Sequence, residues 1–178
     1  IRNLKRNWVI LRDTREKKPL AFPATLPCLN DQLPPTSKAS LTVRLEVVDS
    51  TLTTGDYVLQ GYEDQVLIER KGGLREVAGN CLTLDGRRRF ISQVDRLKAQ
   101  AKHPYLMLEG SPMDLQKPVS NVPKPFLALD AIQRILLERG VPLLLLPSTT
   151  VASRRAMGEW VARLLINGAL THGMDDHK

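Results

Sequence analysis

Residues 55–71 read Gly55-Asp56-Tyr57-Val58-Leu59-Gln60-Gly61-Tyr62-Glu63-Asp64-Gln65-Val66-Leu67-Ile68-Glu69-Arg70-Lys71. Gly55-Asp56 marks a turn, Tyr57-Val58-Leu59 a short strand, and Val66 to Lys71 a second strand that stays apolar until its last three residues. Side chains two apart on a strand share a face, so Glu69 and Lys71 project together while Arg70 points the other way. If the chain returns so that Asp56 approaches Glu69, two carboxylates and a lysine converge on one pocket. Hard cations such as Mg²⁺ prefer oxygen ligands and retain waters, which gives the carboxylates a role and leaves a water as nucleophile. Lys71 then orients or helps deprotonate that water, or stabilises charge growing on phosphate oxygens. An acid followed by acid-x-lysine also occurs as an ordinary surface ion pair. Here it ends an apolar strand where folding needs no charge, and Asp13-Thr14-Arg15-Glu16 adds further acids at the end of the first strand.

Outward from this stretch the chain alternates as an α/β domain does. Trp8 to Leu11 and Leu41 to Val48 read as strands, and with 57–59 and 66–71 they follow one another as in a meander. Phe90, Ile91, Val94, Leu97 and Ala101 keep helical spacing, predicting an amphipathic helix over 87–102 with Arg89, Arg96 and Lys98 on its polar face and Pro104 beyond its end. A strand over 105–109, a helix over 126–139 closed by Gly140, a strand over 141–146 and a helix over 153–166 complete the pattern. Ser148-Thr149-Thr150 caps the last helix, and Trp160 falls with Met157, Val161 and Leu164 on its core side. The fold class is α/β, with a mixed central sheet flanked by helices on both sides. Five of the 12 prolines fall between Pro19 and Pro35 and four between Pro112 and Pro125, so Pro-rich loops are expected over about 19–40 and 110–125. Neither splits the chain. One domain over 1–170 with a polar tail over 171–178 is the expected organisation.

Charge points to a polyanion. The 178 residues carry a net charge of +7, and the excess is confined to two segments. Residues 1–18 hold seven basic groups against Asp13 and Glu16, and residues 87–102 hold six against Asp95. Two separated basic elements suit phosphate contacts along a groove. The 4% of aromatic residues argues against base stacking as the main mode of recognition. Two cysteines are too few for a disulfide scaffold, which favours a reducing intracellular compartment. No apolar run approaches the roughly 20 residues of a membrane helix, and no membrane partner is expected.

Asp13-Thr14-Arg15-Glu16, Gly55-Asp56-Tyr57, Glu69-Arg70-Lys71 and Arg89-Phe90-x-x-Gln93, in that order, resemble the nuclease domain of the XPF-type structure-specific endonucleases. The likeness runs from about Trp8 to Leu165. It implies a restriction-endonuclease-like core and metal-dependent hydrolysis of DNA phosphodiester bonds, with flap, fork or branched DNA as substrate, in repair or recombination. By the same resemblance Asp13, Asp56 and Glu69 are metal ligands, Lys71 is the catalytic lysine, Arg15, Arg89 and Gln93 contact substrate, and Glu16 and Arg70 support the site. Mg²⁺ is the implied cofactor, with Mn²⁺ able to substitute. The family places an aspartate four residues after the motif lysine; Arg75 stands there, and a one-residue insertion at Gly72-Gly73 would let Glu76 take that role. Relatives commonly add a helix-hairpin-helix domain, for which the residues after Leu165 leave no room, so the chain is expected to resemble the stand-alone bacterial and phage members. A homodimer or a nuclease partner is a further expectation, as is residence in the cytoplasm or nucleoid, or in the nucleus if the source is eukaryotic. A catalytically silent DNA-binding partner is the rival reading; its usual signature, loss of the motif acids, is absent here.

Overall fold

Trp8 and Ile10 alternate with less buried neighbours along β1 (Asn7–Asp13), which takes the third position in a seven-stranded sheet. The computed structural model describes residues 7–29, 40–147 and 149–171. Strand order is β2-β3-β1-β4-β5-β6-β7, with β2 at Thr25–Leu29, β3 at Ser40–Ser50, β4 at Tyr57–Leu59, β5 at Val66–Lys71, β6 at His103–Glu109 and β7 at Leu143–Leu146. The sheet is mixed, as the sequence indicated, but the early strands do not form a meander. β3 runs parallel to β1, with Trp8 opposite Leu45 and Ile10 opposite Val47, and β4 lies antiparallel on the other side of β1. Only β4 and β5 pair as the meander required. The reason lies in the Pro-rich segment, which is not all loop. Residues 25–29 form β2, antiparallel to β3, and that extra reversal brings β3 back in the direction of β1. Pro27 is tolerated because β2 is an edge strand.

The other half is built from parallel pairs joined by helical crossovers. β5 leads through α1 (Leu74–Cys81) and α2 (Leu84–Gln100) to β6, and β6 leads through α3 (Pro112–Leu115) and α4 (Pro125–Arg139) to β7. The expected loop over 110–125 thus contains the short helix α3. Helix α2 starts three residues before the sequence reading placed it, because Thr83 caps it by accepting from the Gly86 amide at 3.1 Å. Gly86 itself is required there: a Cβ would meet the Gly79 carbonyl oxygen of α1 at 2.0 Å. Gly140, left-handed at φ 65°, closes α4 as expected. The last helix, α5, runs Val151–Thr171 and starts with a reciprocal pair of bonds between Thr150 and Ser153. Ser148, residues 30–39 of the first Pro-rich stretch and residues 172–178 of the polar tail lie outside the described residues.

α5 covers one face of the sheet, packing Met157, Val161, Ala162 and Leu165 on Ile10, Tyr57, Ile68 and Met107. Trp160, expected in this core, is 57% exposed, because the packed stripe runs through 157, 161, 162 and 165 and leaves 160 outside it. Helices α1, α2 and α4 cover the other face over Leu106 and Leu108. β1 and β5 run in the same direction, both antiparallel to the intervening β4, and β6 is parallel to β5. The carboxyl ends of β1, β5 and β6 and the start of β4 therefore meet at one edge, where open α/β sheets place their ligands.

Candidate active site

The Gly55-Asp56 turn is tied to strands on both sides. Asp56 donates its amide to the Ile68 carbonyl at 2.7 Å and accepts the Asp13 amide at 2.9 Å. Gly55 has φ 78°, and a Cβ there would lie 2.4 Å from Leu67 Cδ1, so the turn requires glycine. One strand over, Glu69 and Lys71 share the α2 face, as the two-residue period demands, with Lys71 Nζ donating to Glu69 Oε1 at 2.9 Å. Gln93 of α2 closes a triangle: its Nε2 donates to the same Glu69 oxygen at 2.6 Å and its Oε1 accepts from Lys71 at 3.0 Å. Phe90, one turn earlier, sets its ring 5.7 Å from Lys71 Nζ. Glu76, in the first turn of α1, lies 3.6 Å from Lys71 Nζ and accepts the Gly72 amide at 2.7 Å.

Two cavities meet over the acids. One, of about 680 Å³, is walled by Arg15, Lys17, Lys18, Arg75 and Glu76; the other, of about 220 Å³, by Thr53, Thr54, Gln93 and Arg96. Asp56, Glu69 and Arg15 line both. Burial, then the charge of Glu69, raise the Asp56 carboxyl to about 7, against the Arg70 amide, which donates to its Oδ2 at 2.7 Å. Burial disfavours the Lys71 ammonium, but the charge and hydrogen bond of Glu69 outweigh it, with Glu76 and Asp56 adding to them, so Lys71 titrates above an ordinary lysine. Among the described residues nothing donates to Asp56 Oδ1 or to Glu69 Oε2. Two carboxylates forced together with an open oxygen each fit a divalent cation that completes its shell with water or phosphate oxygens, as Mg²⁺ does. Among the described residues no set of three or more acidic, histidine or cysteine side chains is grouped so as to hold a metal ion.

The remaining residues singled out in the sequence fall into three places. Asp13 is 1% exposed and does not line either cavity; its carboxylate accepts from Arg15 Nε and Nη2, both at 2.8 Å, and from the Arg15 and Leu52 amides. It thereby holds Arg15, whose guanidinium also donates to the Leu52 carbonyl, at the rim. Arg89 is exposed, one turn before Gln93 on the same side of α2, and lines neither cavity. Glu16 and Arg70 pair with each other on the α5 face and also line the larger cavity. Sequence reasoning missed Glu109 and Arg154, which join that pair, and Lys17, Lys18, Thr53 and Thr54, which line the walls. For Lys17 and Lys18 the signal was present in the basic count of residues 1–18; Glu109 and Arg154 carried none.

No described helix is long and apolar enough to cross a membrane. Comparison with solved structures finds XPF from Aeropyrum pernix, 20% identical with a TM-score of 0.54, covering 88% of this chain and 64% of that one. XPF from Aeropyrum pernix in complex with DNA is 17% identical, also with a TM-score of 0.54, over 92% of this chain and 66% of that one. The chain spans just under two thirds of the length of either. No curated protein matches. The shared architecture is the restriction-endonuclease-like α/β fold. A family model described as ERCC4 domain matches residues 13–163, a span that opens on the Asp13 carboxylate and takes in every residue of the cleft. By that match over most of its length, the chain belongs to the ERCC4 domain family.

Proposed function

We propose that this chain is a metal-dependent endodeoxyribonuclease selective for flapped, forked or otherwise branched DNA, acting in repair or recombination. The observation that carries the reading is the pair of cavities sharing Asp56 and Glu69. A groove that continues past the acids on both sides lets a strand run through, which suits attack on an internal phosphodiester. Its walls bear Lys17, Lys18 and Arg75 in one cavity, Arg96 in the other and Arg15 in both, complementary to a phosphate backbone. The similarity to XPF from Aeropyrum pernix in complex with DNA supports the same partner class.

Asp56 and Glu69 would hold Mg²⁺ or Mn²⁺. When bound, such a cation supplies a nucleophilic water of lowered pKa and offsets charge on the phosphate. Lys71, kept protonated by Glu69, serves the second of its two possible tasks, stabilising negative charge on the scissile phosphate rather than taking a proton. Gln93 positions Glu69 and Lys71 rather than contacting substrate, and Asp13 positions Arg15. Glu76, beside Lys71, takes the role of the motif aspartate in this reading. Backbone charge supplies affinity, and the deformability of a branch point supplies preference.

The test is cleavage of flap, fork, four-way junction, single-stranded and plain duplex DNA in Mg²⁺, Mn²⁺ or EDTA, with Asp56→Asn alongside. Metal-dependent cutting that falls about a thousandfold in the variant, while DNA binding persists, is expected. Binding without cutting in either metal would make the chain a silent DNA-binding module instead. Sedimentation of the same preparation tests the expected pairing with a second copy.

A further inference from the structure

Behind Glu69 and Lys71, on the α5 face of the sheet, Arg70 enters a chain of charges. Its Nε donates to Glu16 Oε2 at 2.7 Å, its Nη2 to Glu16 Oε1, and its Nη1 to Glu109 Oε1 at 2.8 Å. Arg154, from the first turn of α5, donates Nη1 to Glu109 Oε2 at 3.3 Å and Nη2 to the carbonyls of Lys18 and Pro19 at 3.0 and 3.2 Å. The side chains of Glu16, Arg70 and Glu109 are 4%, 8% and 5% exposed. Stability does not explain such an arrangement, because buried ion networks gain little over apolar packing of the same volume. Nor does helix formation explain Arg154, since a cation near a helix N-terminus opposes the dipole.

What the network touches does explain it. Arg70, pinned by Glu16 and Glu109, presents its backbone amide to Asp56 Oδ2. Glu16 accepts the Lys18 amide at 2.8 Å, and Arg154 takes the Lys18 and Pro19 carbonyls, so residues 15–19 are held as one wall of the cleft. We propose that Arg154 and Glu109 are positioning residues, which act through Arg70 and Glu16 to fix the Asp56 carboxylate and the Arg15-to-Lys18 wall against each other. This rests on the nuclease reading above. Arg154 is the end of the network that reaches both sides: a guanidinium has five donors in a planar fork, enough for a carboxylate and two carbonyls, and a lysine ammonium cannot span them.

The experiment compares Arg154→Gln, Arg154→Lys and Glu109→Gln with Arg163→Gln. Arg163 is the matched control, an arginine of the same helix that binds Glu159 and the Pro27 carbonyl away from the cleft. Two readouts are taken well below the unfolding temperature: amide hydrogen exchange of the metal-free protein, and kcat and KM on the DNA that the wild type cuts. In Arg154→Gln, exchange over residues 14–20 should speed about tenfold while β1 and β3 keep their protection. Its kcat should fall about tenfold to a hundredfold with KM little changed, as misplaced catalytic groups cause. Arg154→Lys should recover part of kcat, Glu109→Gln should behave as Arg154→Gln does, and Arg163→Gln should match the wild type. Should Arg154→Gln not fold, the Lys and Glu109 variants carry the comparison. Unchanged exchange over 14–20, or wild-type kcat despite faster exchange, overturns the proposal. A wild type that cuts no DNA in Mg²⁺ or Mn²⁺ overturns the nuclease reading alone, and the exchange data still decide whether the network holds the wall.

Discussion

Asp13 and Asp56 are both carboxylates at the end of the same sheet, and their surroundings push them in opposite directions. The Arg15 guanidinium, helped by the Arg15 and Leu52 amides and opposed by burial, lowers Asp13 to about 2. A carboxyl depressed from 3.8 in the unfolded chain contributes stability that is full above pH 4 and is lost as pH falls through 2. That contribution is at most about 2 kcal/mol, and less in practice because Arg15 is 67% exposed and screened. Asp13→Asn should therefore lower stability at pH 7 and flatten the acid limb between pH 4 and 2, which urea titrations across that range would show. Asp56 has the reverse sign. Raised from 3.8 to about 7, it binds its proton more tightly folded than unfolded, so the metal-free protein loses stability as pH climbs between those values. In EDTA at pH 8, Asp56→Asn should melt higher than the wild type, by roughly 2–4 °C for each kcal/mol relieved. A lower melting temperature in the variant would show that the acid pair is not strained without metal. The sequence made Glu69 and Lys71 legible as neighbours because a strand's period requires it. Asp56 was legible only on the condition that the chain returned. Glu109 and Arg154 were illegible because their meaning lies in contacts 39 and more residues away.

At the level of elements, the strands and the later helices could be read from periodicity and caps, but the order of strands could not. β1 and β3 look alike on paper whether they pair parallel or antiparallel; what decided it was β2, hidden in a segment whose prolines read as loop. α1 was similarly faint, since eight residues with Gly79 inside give a weak helical signal. Its crossing with α2 leaves no space at Gly86. Gly86→Ala would drive a methyl into the Gly79 carbonyl, a backbone atom that cannot swing aside. A loss of about 1–3 kcal/mol is expected from this overpacking, measured as a lower urea midpoint at constant m-value. Unaltered stability would mean that the two helices separate freely, and with them the Glu76 and Gln93 sides of the cleft.

Across the whole molecule, part of the basic excess that the sequence located in two segments lines the cleft from different elements. Lys17 and Lys18 come from the loop after β1, and Arg96 from α2. In the uncut complex of Asp56→Asn with branched DNA, log affinity should fall linearly with log salt. Removing Lys17, Lys18 or Arg75 singly should reduce that slope by about 0.9 for duplex contacts. A slope indifferent to all three would place the DNA elsewhere on the surface. The tie of Asp56 to Asp13 on one side and Ile68 on the other has a different kind of consequence. An acid stitched by its own main chain into two strands has no slack, so lengthening the chain between residues 52 and 57 by a single residue should disarm the protein without unfolding it.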